Sequence, residues 1–154
     1  YGIEYTIFRL FNVYGSTQDT QWVLPEFVDK AISDKQISVH SDGSQVRAFC
    51  YVSDIASAFQ SALETANGEI INVGNDSYPI SIKDLAEKII SLTNSQSQIK
   101  FVPFDESNRN RTEIMKRIPD INKAKKILNY SPKITLDEGI EKVVKYRKEI
   151  NSDK

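Results

Sequence analysis

The apolar residues of this 154-residue chain alternate between short continuous runs and stripes with helical spacing. The first run, Thr6 to Phe11, is rich in β-branched and aromatic residues and predicts a strand buried on both faces, as in parallel sheets. Turn residues from Asn12 to Gly15 end this strand. Val23 to Ile32 then repeats apolar residues at i, i+3, i+4 and i+7, with Pro25 in the first turn, which predicts a helix.

Further short strands and amphipathic helices follow in alternation. Apolar runs stand at Ile37–Val39, Ala48–Val52, Ile70–Val73 and Ile99–Val102. Helical stripes stand at Ile55, Ala58, Phe59, Ala62 and Leu63; at Ile82, Leu85, Ala86, Ile89 and Ile90; at Ile121, Ala124 and Leu128; and at Leu136, Ile140, Val143, Val144 and Arg147. This alternation predicts an α/β fold with small parallel sheet segments and flanking helices. Because two or three strands are few for independent stability, we expect a missing partner layer.

Short polar residues mark where these helices begin, because their side chains accept hydrogen bonds from the free N–H groups of a first turn. The predicted caps are Asp54 (or Ser53), Ser81 with Asp84, Asp120, and Thr135 with Glu138.

The bulk properties are those of an ordinary globular chain, and the length fits one domain. Net charge is −1 and the isoelectric point is about 5.9, which gives no electrostatic case for binding nucleic acid or an anionic membrane. The single cysteine, Cys50, cannot form an internal disulfide, so we expect a reducing, cytoplasmic location. No apolar run approaches the length of a membrane span. The chain opens at Tyr1 directly on a predicted strand, which suggests a piece of a larger protein.

Five phrases in order carry a resemblance to a known family. They are FNVYG at Phe11–Gly15, VLPEFVDKAI at Val23–Ile32, ISVHSDGSQVRAFCYVSDIASAF at Ile37–Phe59, INVGN at Ile71–Asn75, and RIPDINKAKKILNYSP at Arg117–Pro132. Together they resemble the carboxy-terminal half of the NAD-dependent epimerases and dehydratases, extended short-chain dehydrogenases that act on nucleotide sugars. Ser16, His40-Ser41, Ala48 and Asn129-Tyr130 depart from the common pattern and leave the subfamily open.

The resemblance implies that residues 1–154 form the substrate-binding portion of such an enzyme, without its dinucleotide-binding part. The family's catalytic Ser or Thr and Tyr-x-x-x-Lys pair belong to the other half, and none of the seven tyrosines here has Lys four residues later. No Gly-rich dinucleotide fingerprint is present either. We therefore expect no catalytic, cofactor-binding or metal-binding residues in this chain. NAD would be bound mainly by the other half, and the full-length protein is expected to be a homodimer.

Two arginines are the first candidates for binding the substrate. By resemblance, Arg47 and Arg117 contact the diphosphate of a nucleotide sugar from two sides, and a guanidinium group suits phosphate oxygens because it binds two at a time. The alternative for Arg47 is an ion pair with an acid such as Asp42, and for Arg117 a solvated position before a helix. Arg109 and Arg111 match nothing in the family and are interpreted as solvated.

Three further positions are candidates by resemblance. Asn12 follows the first strand, at the strand end where open α/β folds bind ligands, although Asn also suits a turn. Val39 and His40 belong to the segment that meets the nucleotide base, largely through backbone groups. His40, the only histidine, has no evident nucleophile or carboxylate partner and is not expected to be a general base or a metal ligand.

Other conspicuous residues are interpreted as structural. Leu24 and Phe27 have core spacing, although a place in the base pocket stays open. Tyr51 and Asp54 are expected to be structural, and Cys50 is expected to be a small buried residue.

The resemblance implies the nucleotide-sugar-binding half of an enzyme that transiently oxidises a UDP- or dTDP-sugar, with 4-epimerisation as the leading outcome. UDP-glucuronate decarboxylation and 4,6-dehydration are alternatives. A non-catalytic nucleotide-sugar-binding module is an alternative of another class, and a protein that only associates with partners through apolar faces is a third.

Overall fold

The computed structural model describes residues 2–103 and 114–152, so Arg109 and Arg111 lie outside the described residues. Within that part the elements are β1 (Thr6–Leu10), β2 (Val13–Tyr14), α1 (Val23–Ile32), β3 (Ile37–His40), β4 (Val46–Ala48), β5 (Cys50–Tyr51), α2 (Val52–Thr65), β6 (Glu69–Val73), β7 (Pro79–Ser81), α3 (Ile82–Thr93), β8 (Ile99–Val102), β9 (Lys116–Arg117), α4 (Asn122–Leu128) and α5 (Leu136–Ser152). No helix among the described residues is long and apolar enough to cross a membrane.

The chain divides into two compact units, each assembled from three separate stretches. The first comprises Tyr1–Tyr14, Ala48–Pro79 and Ile118–Leu136, and the second comprises Gly15–Arg47, Ile80–Arg117 and Asp137–Lys154.

The first unit is built on two parallel strand pairs. Strand β1 pairs with β6, from Thr6 opposite Glu69 to Leu10 opposite Val73, and β2 pairs with β5. Helix α2 and helix α4 pack together, and α4 also covers β6. The core of this unit contains Ile55, Ala58, Ala62, Ile71, Val73, Ile121, Ala124 and Leu128.

The second unit contains a parallel pair of β3 and β8, from Ile37 opposite Ile99 to His40 opposite Val102. Helices α1 and α3 pack on each other and against β3. Strand β4 pairs in parallel with β9, and the full order of that small sheet is β7-β4-β9. These short parallel segments with flanking helices confirm the predicted α/β class.

Strand β1 is not buried on both faces, and that prediction is wrong for the described residues. Ile7 and Leu10 are 47% and 48% exposed. Among the described residues only β6 pairs with β1, so its second edge and part of its surface lack a cover. The predicted α2 stripe is also too wide, because Phe59 and Leu63 are 41% and 87% exposed while Ile55, Ala58 and Ala62 are buried.

Asp54 does not cap α2, which corrects a second prediction. The helix begins at Val52 with Tyr51 in the N-cap position, so Asp54 lies inside the first turn. Its two carboxylate oxygens instead accept hydrogen bonds from the backbone N–H groups of Lys133 and Ile134, each at 3.1 Å. Asp54 is thus structural, as predicted, but it anchors a distant loop.

Of the other predicted caps, Ser81 is confirmed, since its Oγ accepts a hydrogen bond from the Asp84 N–H at 3.0 Å. The side chain of Asp120 accepts a hydrogen bond from the Asn122 N–H at 2.9 Å, but Ile121 holds the N-cap position of α4.

Candidate functional site

The two candidate arginines lie side by side. Arg47 in β4 is the register partner of Arg117 in β9, and Val46 is the partner of Lys116. Directly paired residues in a sheet point to the same face, and successive residues point to opposite faces. Arg47 and Arg117 therefore share one face of this small sheet, whereas Lys116 points to the other. With strands ~4.8 Å apart, both guanidinium groups are within reach of one bound group.

Backbone carbonyl groups hold the Arg47 side chain in place. Its Nη1 donates to the carbonyl oxygen of Val46 at 2.9 Å and to that of Ile114 at 2.8 Å. The carboxylate of Asp42, the alternative partner, instead accepts hydrogen bonds from the Ser44 hydroxyl at 2.6 Å and the Ser44 N–H at 3.0 Å. These two bonds, the hydroxyl contributing most, lower the pKa of the exposed Asp42 carboxyl. Arg117 itself is exposed.

Strand β3 presents one edge to β8 and the other edge away from it. The Ile37 N–H donates to Gln98 and the Ser41 N–H donates to Val102, at 2.9 and 2.8 Å. In a parallel ladder the residues that bond one neighbour alternate with those that face away, so Val39 also faces β8. Ser38 and His40 then direct their backbone groups to the opposite edge, where the His40 carbonyl accepts a hydrogen bond from the Gly43 N–H at 3.3 Å.

Because of this alternation, Val39 and His40 present their backbone groups to opposite edges of β3. The side chain of Val39 is fully buried, and only a glycine fits at position 43 because a Cβ there would lie 2.7 Å from Val39 Cγ1. The outward edge retains the Ser38 carbonyl as an acceptor and the His40 N–H as a donor. Ser38 was not among the candidates from the sequence, although the two-residue period of the strand places its backbone groups on the same edge as those of His40.

Asn12 belongs to the first unit, where it joins β1 to β2. Its backbone has a φ of 40°, in the left-handed region that Asn tolerates. Its Nδ2 donates to the Ala48 carbonyl at 3.0 Å, and its carbonyl accepts from the Cys50 N–H at 3.1 Å. The side chain therefore has a structural bond, as the turn interpretation expects, and its contact with substrate stays a prediction.

Other residues singled out from the sequence belong to the core. Leu24 and Phe27 are each 1% exposed, which favours their core interpretation. Cys50 is fully buried, with its sulfur 3.4 Å from the hydroxyl of Tyr130, and that hydroxyl donates to the Gly74 carbonyl at 3.0 Å. Burial raises the pKa of the Cys50 thiol to about 11. Across residues 2–103 and 114–152, no three His, Cys, Asp or Glu side chains are grouped to hold a metal ion.

Known proteins resemble this chain in sequence over nearly its whole length. The model of the NAD dependent epimerase/dehydratase family matches residues 1–74. A UDP-N-acetyl-alpha-D-glucosaminuronate decarboxylase of Bacillus cytotoxicus is 36% identical over 99% of this chain and 49% of its own length. A UDP-glucuronate 4-epimerase of Thermodesulfobacterium geofontis is 32% identical over 97% of this chain and 45% of its own.

Solved structures also resemble the fold of this chain. The UDP-glucose 4-epimerase of Thermotoga maritima, determined with UDP-glucose, superposes with a TM-score of 0.89 at 28% identity, over 98% of this chain and 48% of that one. The UDP-glucuronic acid 4-epimerase of Bacillus cereus, in complex with UDP-glucuronic acid and NAD, gives 0.84 at 29% identity, over 94% and 45%. The chain thus spans about half the length of the relatives it matches.

Proposed function

This chain belongs to the NAD-dependent epimerase/dehydratase family, and we propose that it is the nucleotide-sugar-binding portion of an enzyme acting on a UDP-hexuronic acid. The sequence spans about half of its relatives, so the activity belongs to a full-length protein that contains it.

The pairing of Arg47 with Arg117 is the observation that carries this proposal. Two guanidinium groups on one face of a small sheet place two positive charges where one anion can contact both. A diphosphate carries about two negative charges and offers several oxygens, which suits two guanidinium groups that each donate two parallel hydrogen bonds. The bonds from Arg47 to Val46 and Ile114 reduce the entropy that it loses when it binds phosphate.

The outward edge of β3 supports recognition of the base. The pyrimidine ring of uracil presents an N–H donor beside a carbonyl acceptor, and the Ser38 carbonyl and His40 N–H offer the complementary pair. Recognition through a strand edge uses the main chain for affinity, as in strand addition. Thymine presents the same two groups, so this edge would accept dTDP-sugars as well. The relatives named for UDP-sugars favour UDP.

The uronic acid is proposed from the chemistry that these relatives share. Their names describe either 4-epimerisation or decarboxylation of a UDP-uronate. Both outcomes begin with oxidation at C4 of the sugar, because a ketone there permits either return of hydride to the opposite face or loss of the neighbouring carboxylate. NAD, when bound by the remainder of the protein, supplies this reversible hydride transfer. The present residues would bind and orient the substrate.

Asn12 is proposed as a separate substrate contact, because its Nδ2 group has two hydrogens: one donates to the Ala48 carbonyl, and the second can donate to a phosphate oxygen. A homodimer and a cytoplasmic location complete the proposal for the full-length protein.

The experiment is to incubate the full-length protein with UDP-glucuronate and follow the sugar by proton NMR. UDP-galacturonate indicates 4-epimerisation, and a UDP-pentose with release of CO₂ indicates decarboxylation. Binding of UDP without conversion of any UDP-uronate would favour a non-catalytic nucleotide-sugar-binding module. Failure to bind UDP at all would refute the proposal.

A further inference from the structure

We propose that the indole of Trp22 stacks on the face of the nucleobase bound at the outward edge of β3, an inference that rests on the proposed function. Trp22 is the single tryptophan of the chain, and nothing in the sequence motifs assigns it a role.

Trp22 is exposed although its backbone is fixed. Its side chain is 57% exposed, despite being the largest apolar side chain available for burial. Its N–H donates to the Asp19 carbonyl at 3.4 Å, its carbonyl accepts from the Glu26 N–H at 3.1 Å, and the Asp19 side chain accepts from the Gln21 N–H at 3.2 Å. The indole is therefore presented to solvent from an ordered turn at the start of α1, and its exposure is not the fraying of a loose end.

The connection from α1 to β3 brings Trp22 to the end of the strand that carries His40. Helix α1 ends at Ile32, only residues 33–36 separate it from β3, and the two elements pack together. Such a short link makes the helix run back along the strand that follows it. A ten-residue helix rises ~15 Å and a four-residue strand spans ~13 Å. The amino end of α1 is thus level with the carboxyl end of β3.

The orientation of a base at this edge favours stacking. Hydrogen bonds from Ser38 and His40 would hold the ring roughly in the plane of the sheet, so its two faces point where the faces of the sheet point. Helix α1 lies on the face that carries Ile37 and Val39, since both these side chains are buried and the inner face of α1 is buried with them. An indole that projects from the first turn of α1 therefore lies on the same side as one face of the base, where it can stack on that face. Stacking of a base on an aromatic side chain suits this arrangement because it does not depend on the pattern of hydrogen bonds.

The test uses the full-length protein, Trp22→Ala and the conservative Trp22→Phe, with uridine, UDP and UDP-glucuronate titrated by calorimetry. We expect Trp22→Ala to raise the Kd of all three ligands by one common factor of about 5- to 100-fold. Trp22→Phe keeps an aromatic face and should stay within about threefold of the wild type. Subtracting the fluorescence of Trp22→Phe from that of the wild type gives the emission of Trp22 alone. This emission should change when uridine binds.

Each alternative has its own signature. A loss limited to UDP-glucuronate would overturn the proposal in favour of stacking on the sugar. Unchanged affinity for all three ligands, with an unaltered melting transition, would overturn it in favour of a contact with another part of the protein. Wild-type protein that binds no UDP would refute the proposed function itself, whereas wild-type binding of UDP with no role for Trp22 refutes only this inference.

Discussion

Arg47 and Arg117 are register partners on adjacent parallel strands, and their side chains leave the same face of the sheet. The neighbouring pair, Val46 and Lys116, leaves the opposite face. This relationship creates a matched experiment, because Arg117 and Lys116 are exposed cations next to each other in the same short strand. Only one of them is on the face proposed to bind the diphosphate.

Arg47→Ala and Arg117→Ala should each weaken UDP-sugar binding by the full-length protein by about 1–3 kcal/mol, because each removes charge-assisted hydrogen bonds. The two losses should not add, since both groups bind one diphosphate. Calorimetry with UDP-glucuronate measures both variants. Lys116→Ala is the control, and its affinity should stay close to that of the wild type. An equal loss in Lys116→Ala would mean that only net charge matters and that no specific site exists.

Asp54→Ala should lower the free energy of unfolding by about 1–3 kcal/mol, because it leaves the N–H groups of Lys133 and Ile134 without their acceptor. Asp54→Asn keeps one acceptor and should be intermediate. Urea denaturation measures both. The control is Asp84→Ala, which removes an exposed carboxylate from the first turn of α3 while leaving the Asp84 N–H to bond Ser81. If Asp54→Ala and Asp84→Ala are equally stable, the anchoring role of Asp54 is wrong.

The contrast between Asp54 and Ser81 shows how far local pattern predicts structure. The cap by Ser81 is a bond to a residue three positions away, so the sequence contains both partners. Asp54 accepts hydrogen bonds from Lys133 and Ile134, which lie 79 and 80 positions later in the chain, and no local spacing predicts such contacts. Helix stripes such as that of α1 were predictable because the period is repeated over several turns. Strands β2, β4, β5, β7 and β9 have only two or three residues each, too few to show any period.

The candidate site likewise has a part that could be predicted from the sequence and a part that could not. The expectation that Arg47 and Arg117 contact one diphosphate came from a resemblance, whereas their shared face is a consequence of strand register, which only the folded chain reveals. For Ile7 and Leu10 the local pattern gave the wrong prediction, because both side chains are exposed. Their apolar run is typical of a buried strand, but burial requires a second neighbour, and among the described residues β1 has only β6.

The Cys50 thiol should resist alkylation in the folded protein, because burial raises its pKa to about 11 and leaves little thiolate near neutral pH. The same shift predicts a loss of stability in alkali. In the unfolded chain the thiol ionises near its ordinary pKa of 9.0, so the unfolded state binds fewer protons than the folded state between pH 9 and pH 11. The stabilising contribution of the neutral thiol is present below pH 9 and falls as pH rises towards 11, by about 1.4 kcal/mol per pH unit.

Urea titrations at pH 8, 9 and 10 measure this slope, and reaction with a thiol reagent in native and denaturing buffer measures the accessibility of Cys50. Cys50→Ala is the control, since it removes the titrating thiol but keeps a small apolar side chain. Burial also raises the pKa of Tyr130, so part of the alkaline loss should persist in that variant. An identical slope with and without Cys50 would contradict the assignment to the thiol.

His40→Pro tests whether the outward edge of β3 binds the nucleobase through its main chain. Proline removes the backbone N–H, and at position 40 this group does not bond β8, so the β3–β8 ladder should survive, as it does for proline in edge strands. The affinity for uridine and UDP should fall by about 0.5–1.5 kcal/mol, the net contribution of one hydrogen bond. His40→Ala separates the two parts of the residue, because it removes the imidazole and keeps the N–H. Val39→Pro is the control for the opposite edge of β3. It removes an N–H that faces β8, so it should destabilise the fold. If His40→Pro and His40→Ala bind uridine equally well, the base is not held by this N–H and the strand edge has to be abandoned as its binding site.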